Sequence, residues 1–417
     1  MSAEAVRTRL TMKNMDERVF EVLFKAISSV VEALEPFSPA TVDMHRMWYG
    51  SRGFFFMSPQ GVQRRRDLTR QALRYGTWGR KFSPGYLAGR LRDMIEIHAT
   101  EGVDRAREAF RCLVAELDAY DERHTVFLPL FGILIPDAPA RTVGGIVVHR
   151  SGPEFLQRLA SEDTVTTAYI QRQTDAEVWV EIQVEAEPGF AVARAEELCG
   201  PVIDVLRFWM ACMTKTGTPC AIGLQGDVVT TERPRVIVNA KSGGKRYDPH
   251  RSRRLPGFPL TQEVLDKLRE ARLECLASLI ERPEKLTAFQ KLLLHAVHTY
   301  GSAKVQTLAA DRFLNLVRCL ETFLTTGEGN ITQSVAEGVV MFFAVPVTER
   351  LRLKKGLQDL YKIRSKLSHG EHVDILPDDM YQLDDLTKSF LIAMIDFRDR
   401  FQSRQDLLKY LEAQRLA

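Results

Sequence analysis

The chain has 417 residues, 45% of them hydrophobic and 27% charged, with a formal net charge of +3. This composition excludes a disordered or fibrous chain, and so small a positive excess excludes a surface that is basic all over; any basic patch is local. The length fits two or three domains.

Six cysteines, Cys112, Cys199, Cys212, Cys220, Cys275 and Cys319, include no C-x-x-C pair, so neither a disulfide framework nor a zinc knuckle is expected. The first residues lack an apolar signal-peptide core. The longest apolar run, "VFLPLFGILIP" at 126–136, is short for a membrane span and contains Pro129. The expectation is a soluble cytoplasmic protein without membrane contact and with reduced thiols.

The fold class expected is α+β, in three parts. Residues 1–125 read as a mainly helical N-terminal region: "DERVFEVLFKAISSVVEALEP" has helical periodicity and stops at Pro36, and a second helix starts near Gly102. The intervening "MHRMWYGSRGFFFMSPQG" and "RYGTWGRKFSPGY" read as loops or short elements. Residues 126–258 read as an α+β domain. In "AEVWVEIQVEAE", Val178, Val180, Ile182 and Val184 alternate with a wetter set, Trp179, Glu181, Gln183 and Glu185, as in a strand with one covered face. Further strands are expected at "GGIVVH", "TVTTAYIQ", "PCAIGL" and "PRVIVNA", with a helix kinked or restarted at Pro201. This part ends in "KSGGKRYDPHRSRRLPGFP", an expected exposed basic loop and RNA-backbone contact through Lys245, Arg246, Arg251, Arg253 and Arg254; "QRRRD" at 63–67 is a second such run. Residues 259–417 read as an all-helical bundle.

Two charges interrupt apolar stripes in that bundle. Leu353, Leu357, Leu360 and Leu367 share one face, and Arg364 falls on it; Glu321 stands in the same relation to Val317 and Leu324. Taken alone, the two describe a structural ion pair, which is costly to break. His369 follows Arg364 by five positions, about 140° further round a regular helix. Gly370 predicts a left-handed C-cap that places His369 in the last turn and can re-aim it. An arginine and a histidine that converge at a helix end suit phosphodiester chemistry, the histidine moving a proton and the arginine stabilising phosphorane charge.

The stretch "RSKLSHG", with its setting "RFLNLVRCLETFL", "ITQSVAEGVVMFF" and "LYKIRSKLSHG", resembles the R-x4-6-H motif of the HEPN superfamily and is similar to its ApeA-like antiphage ribonuclease branch over roughly residues 285 to 410. The resemblance implies a HEPN-type bundle that pairs with a second copy, and metal-independent RNA cleavage to 2′,3′-cyclic phosphate and 5′-OH ends. It makes Arg364 and His369 catalytic, with Glu321, Tyr361 and Ser365 in support and Lys366 an RNA contact. It implies antiphage defence or a regulated toxin, with a phage-derived or regulatory protein as trigger and the N-terminal region sensing or restraining. Ser365 stands where active relatives often carry Asn, Asp or His. Glu371 stands where the antitoxin-regulated branch has a modified tyrosine, so that regulation is not expected. The alternative is a catalytically inactive dimeric HEPN protein that binds RNA or acts as a scaffold.

No metal and no cofactor are expected. His295 and His298, at i and i+3, read as a packed or surface pair, and the acidic pairs Asp378–Asp379 and Asp384–Asp385 read as helix caps.

Overall fold

The computed structural model describes residues 17–35, 47–159, 178–218, 220–224, 235–238, 245–248, 257–325, 331–343 and 346–416. The architecture is mixed α+β with a helical C-terminal region. The chain forms two compact units, one of residues 1–126 with 183–195 and the other of 127–182 with 196–417. No described helix is long and apolar enough to cross a membrane.

In the first unit, α1 (Glu17–Val31) turns Phe20, Leu23, Phe24, Ile27 and Val30 into a core shared with the helices that follow. The strands β1 (Leu34–Glu35), β2 (Met47–Gly50) and β3 (Gly53–Met57) form a small antiparallel sheet in the order β1-β3-β2. Next come α2 (Pro59–Leu73), the single turn α3 (Trp78–Lys81), α4 (Pro84–Glu101) and α5 (Val103–Asp118). The "QRRRD" run, expected in a loop, lies within α2. The start of α2 is set by Ser58, whose hydroxyl accepts from Gly61 N, and by Pro59, whose missing N–H would be unpaired there in any case. Ser83 and Pro84 repeat the device at α4.

A five-stranded sheet follows in the order β6-β7-β8-β4-β9, built from β4 (Arg123–Phe131), β6 (Ala140–Val143), β7 (Ile146–Arg150), β8 (Val178–Glu185) and β9 (Gly223–Leu224). The strand β5 (Ile133–Leu134) pairs in parallel with β12 (Phe258–Pro259). The expected alternation along β8 holds for Val178, Val180, Ile182 and Val184, all buried. Trp179 departs from it and is buried too, because Phe155 of α6 (Pro153–Leu159) covers that face, ring centroid 6.3 Å away. The strand expected at "TVTTAYIQ" lies outside the described residues.

The helix α7 (Pro188–Met213) runs through Pro201 without a restart. Part of the expected basic loop is a strand: β11 (Lys245–Asp248) pairs antiparallel with β10 (Arg235–Val238), in the register Val236↔Tyr247. The β-branched run of β10 gives the basic segment a ladder partner.

The C-terminal helices are α8 (Gln262–Glu270), α9 (Cys275–Glu281), α10 (Ala288–Val305), α11 (Ala309–Leu324), α12 (Ile331–Val340), α13 (Val347–Ser368), α14 (Pro377–Asp396) and α15 (Arg404–Leu416). The left-handed Arg272, φ 57°, separates α8 from α9. A full capping box, Thr287 with Gln290, starts α10. Phe289, Leu293, Leu316, Leu320, Phe323, Leu357, Leu360, Phe390 and Leu391 fill the bundle interior.

Asp384 is buried within that interior rather than at a cap. Its Oδ1 accepts from the Tyr300 hydroxyl at 2.7 Å, and its Oδ2 from Lys304 Nζ at 2.8 Å, Arg312 Nη2 at 3.1 Å and Gly217 N at 3.2 Å. Burial pushes this carboxyl up, but Lys304, Tyr300 and Arg312 outweigh it and hold it below the usual carboxylate range. Asp379 does cap, accepting from Leu376 N at the start of α14.

Candidate functional site

The stripe that α13 turns inward is Leu357 and Leu360, buried, flanked by the half-buried Leu353, Arg364 and Leu367. The facing helix α11 buries Phe313, Leu316, Val317 and Leu320 and places Glu321 one turn beyond. The two stripe-breaking charges meet: Arg364 Nη2 lies 3.1 Å from Glu321 Oε1 and 3.5 Å from Oε2, with side chains 32% and 16% exposed. Both distances run from one nitrogen, so the guanidinium grips the carboxylate by a single prong and no described residue accepts from its Nε or Nη1. Tyr361 sits one turn before Arg364 and is buried. Burial pushes its hydroxyl far up, with the Glu321 charge adding and Arg364 opposing, so it remains a protonated donor and cannot serve as a base.

His369 is the C-cap of α13, with φ −89° and ψ 5°. Gly370, at φ 77°, closes a Schellman motif: Glu371 N donates to Lys366 O at 3.0 Å and Gly370 N to Leu367 O at 3.1 Å. The helix is regular through Ser368, so the cap does not re-aim His369. It stays about 140° round from Arg364 and exposed, with no described residue bonded to its ring. One chain thus brings Arg364, Glu321 and Tyr361 together and leaves His369 on the outer surface with Ser365 and Lys366, which are also exposed. Lys245 and Arg246 lie on β11, and Arg251, Arg253 and Arg254 lie outside the described residues.

On its other side Glu321 lines a polar cleft of about 610 Å³ with His295, His298, Ser302, Asn315, Arg318 and Arg404. His298 is held there by a carboxylate the sequence reading passed over: its Nδ1 lies 2.6 Å from Asp204 Oδ2, and Asp204 is buried on α7 beside Arg207. The hydrogen bond to Asp204 raises the imidazole pKa, against the opposing effects of burial and Arg207. With Nδ1 fixed as donor, Nε2 is the nitrogen left to exchange protons. Asp204 interrupts "VIDVLRFW" just as Arg364 interrupts its own stripe, so the signal was visible; its partner on α10 was not.

The chain matches no family model, no curated protein and no solved structure.

Proposed function

We propose that the protein is a metal-independent endoribonuclease of the HEPN type that acts as a two-fold dimer through its C-terminal bundle. In this reading His369 takes the proton of a ribose 2′-OH, the 2′-oxygen attacks the adjoining phosphorus, and the 5′-oxygen leaves with a proton, giving a 2′,3′-cyclic phosphate and a 5′-OH. Arg364 stabilises the charge of the phosphorane through the nitrogens Glu321 leaves open. Lys366, Lys245, Arg246, Arg251, Arg253 and Arg254 follow the RNA backbone, and the N-terminal region restrains the nuclease or senses a phage-derived or regulatory protein.

The observation that carries the reading is the division of labour on α13: an arginine gripped by one prong, and a histidine exposed at a Schellman-capped end on a different face. With the two groups on different faces of one helix, two copies related by a two-fold axis can complete each other's pair. The test is RNA cleavage, in chelator, by wild type beside His369→Ala, read as cyclic-phosphate ends. Cleavage by wild type alone supports the reading, and loss of cleavage in chelator restored by added metal overturns it.

A second reading, a catalytically inactive dimeric RNA-binding or scaffold protein, is favoured by the Arg364–Glu321 pair itself, which already gives the arginine a structural partner. Wild type that binds RNA and leaves it intact with every RNA and trigger supplied would decide for this reading.

A further inference from the structure

In the first unit, one face of α2 and the first turns of α4 bound a cleft of about 550 Å³. The α2 wall presents Arg65, Arg66 and Arg70, and the α4 wall presents Arg92 beside Gly85, Ala88 and Gly89. Four of its ten lining residues are arginine and none is acidic.

The neighbouring carboxylates neutralise this charge only in part. Asp67 takes Arg70 Nη1 at 3.0 Å. Glu96 lies 3.9 Å from Arg92 Nε but already accepts from Trp48 Nε1 at 2.9 Å and Ser51 Oγ at 3.3 Å. The Arg92 Nε is buried with no acceptor among the described residues. Arg65 and Arg66 have no carboxylate partner among the described residues; Arg65 lies over the Trp48 ring, 5.8 Å from its centroid. Burial and then the charges of Arg92 and Arg66 make the Arg65 guanidinium more acidic than usual.

The opposite wall is cut back to match. A Cβ added at Gly85 or Gly89 would meet nothing within 4 Å, and both have ordinary negative-φ helical backbone, so their smallness leaves room rather than relieving strain. Pro84 and Gly85 are also the first turn of an 18-residue helix, whose positive end adds to the field.

We propose that this cleft binds a compact ligand carrying adjoining phosphoryl groups, either as a nucleoside triphosphate or as free inorganic polyphosphate. Guanidinium forks match phosphate oxygens, and several of them answer several phosphoryl charges. The volume falls in the small-molecule class, about 300–1,000 Å³. No aromatic side chain lines the cleft, and the nearby Trp48 ring is covered by Arg65. That argues against a single-stranded nucleic acid, whose bases are held on aromatic platforms. The site is independent of the ribonuclease reading and stands or falls without it.

The test is titration calorimetry of the full chain at low salt with tripolyphosphate, with ATP and with a short single-stranded RNA, on wild type, Arg66→Gln, Arg65→Gln, Arg92→Gln and Gly89→Leu. Tripolyphosphate and ATP bind wild type, and each arginine variant weakens both by about tenfold or more. Comparable affinities identify the phosphate chain as the whole recognition element, and markedly tighter ATP identifies a nucleotide; either result supports the site. Gly89→Leu removes binding by filling the cleft while the melting temperature holds or rises, since leucine is the better helix former. Arg66, exposed and without a structural partner among the described residues, keeps the test valid if the other arginine variants fold poorly. No binding at millimolar ligand, equal affinity in every variant, or RNA binding tighter than both ligands and lost in these variants overturns the proposal.

Discussion

Arg364 holds Glu321 through Nη2 alone, 3.1 Å from one carboxylate oxygen and 3.5 Å from the other, at a place where both side chains are largely withdrawn from water. Truncating the arginine leaves a half-buried carboxylate beside the buried Tyr361. Arg364→Ala is therefore expected to lose about 1–3 kcal/mol of stability, less than a fully buried pair because water still screens it. Arg364→Lys recovers most of the stability, since an ammonium can reach one carboxylate, but not RNA cleavage, because it lacks the planar fork for two phosphate oxygens. Thermal melting and a cleavage assay on the same samples separate the two effects. Full cleavage by Arg364→Lys would remove the arginine from the proposed chemistry.

His369 and His298 are distinguished by their surroundings. His369 is exposed at a helix end with no described residue bonded to its ring, so His369→Ala is expected to change stability by less than about 0.5 kcal/mol while abolishing cleavage. His298 is fixed by the buried Asp204, so His298→Ala leaves that carboxylate with only the 3.4 Å contact to Arg207 and lowers the melting temperature. If cleavage survives His369→Ala and is lost in His298→Gln, the proton-transfer group lies in the Glu321 cleft and not at the end of α13.

The Asp204 bond raises the folded pKa of His298 above its unfolded value near 6.5. The sign follows from linkage: the stabilisation is fully present below about pH 6.5 and is lost as pH rises through the raised value. Groups facing the ring are Asp204 and Arg207 from α7, His295 from α10, Arg318 and Glu321 from α11 and Arg404 from α15. Because the His298 side chain is 60% exposed, solvent screening limits the effect to about 0.5 kcal/mol. Denaturant midpoints of wild type and His298→Gln should differ most at acidic pH and converge as pH rises. A difference that grows with pH would contradict the assignment.

Much of this fold was legible because local signals agreed with the tertiary outcome. The alternation in β8 and the C-cap at Gly370 both depend on neighbours a few residues away. The Ser58–Pro59 and Ser83–Pro84 pairs carried the same kind of information, and they mark the starts of two helices in a stretch whose pattern otherwise reads as loops. Long-range pairing was not legible. That Trp179 would be covered by Phe155, that Lys245–Asp248 would find a strand partner, or that Asp204 would meet His298 depends on where distant elements dock. The Arg364–Glu321 meeting was deducible only because both residues broke apolar stripes within one bundle.

Gly370 has φ 77°, a conformation that strains any residue with a Cβ, although a Cβ there would meet no neighbour within 4 Å. Gly370→Ala is expected to cost about 1 kcal/mol, purely from backbone strain, and Gly370→Asn less. If the Schellman turn sets the position of His369, Gly370→Ala lowers cleavage more than its small stability loss explains. Melting curves and cleavage rates measured together check this, and unchanged rates in a folded Gly370→Ala would show that the cap is structural only.

Asp384 joins three bundle helices by accepting from Tyr300, Lys304 and Arg312, and it is fully buried. Removing the carboxylate leaves Lys304, itself 3% exposed, and Arg312 as cations without a counter-charge. Asp384→Ala is expected to lose about 3–5 kcal/mol, enough to unfold a marginal bundle. Asp384→Asn keeps the shape and one acceptor oxygen and loses less, but it still strands the lysine. The folded Asp384 pKa lies below its unfolded value of about 3.9, so its contribution is present above that value and disappears as pH falls through the folded one. Acid-unfolding curves should therefore show a steeper loss of stability below about pH 4 for wild type than for Asp384→Asn. Parallel curves would mean that the carboxyl is protonated in the folded bundle and that Lys304, whose pKa burial lowers, is held there without its charge.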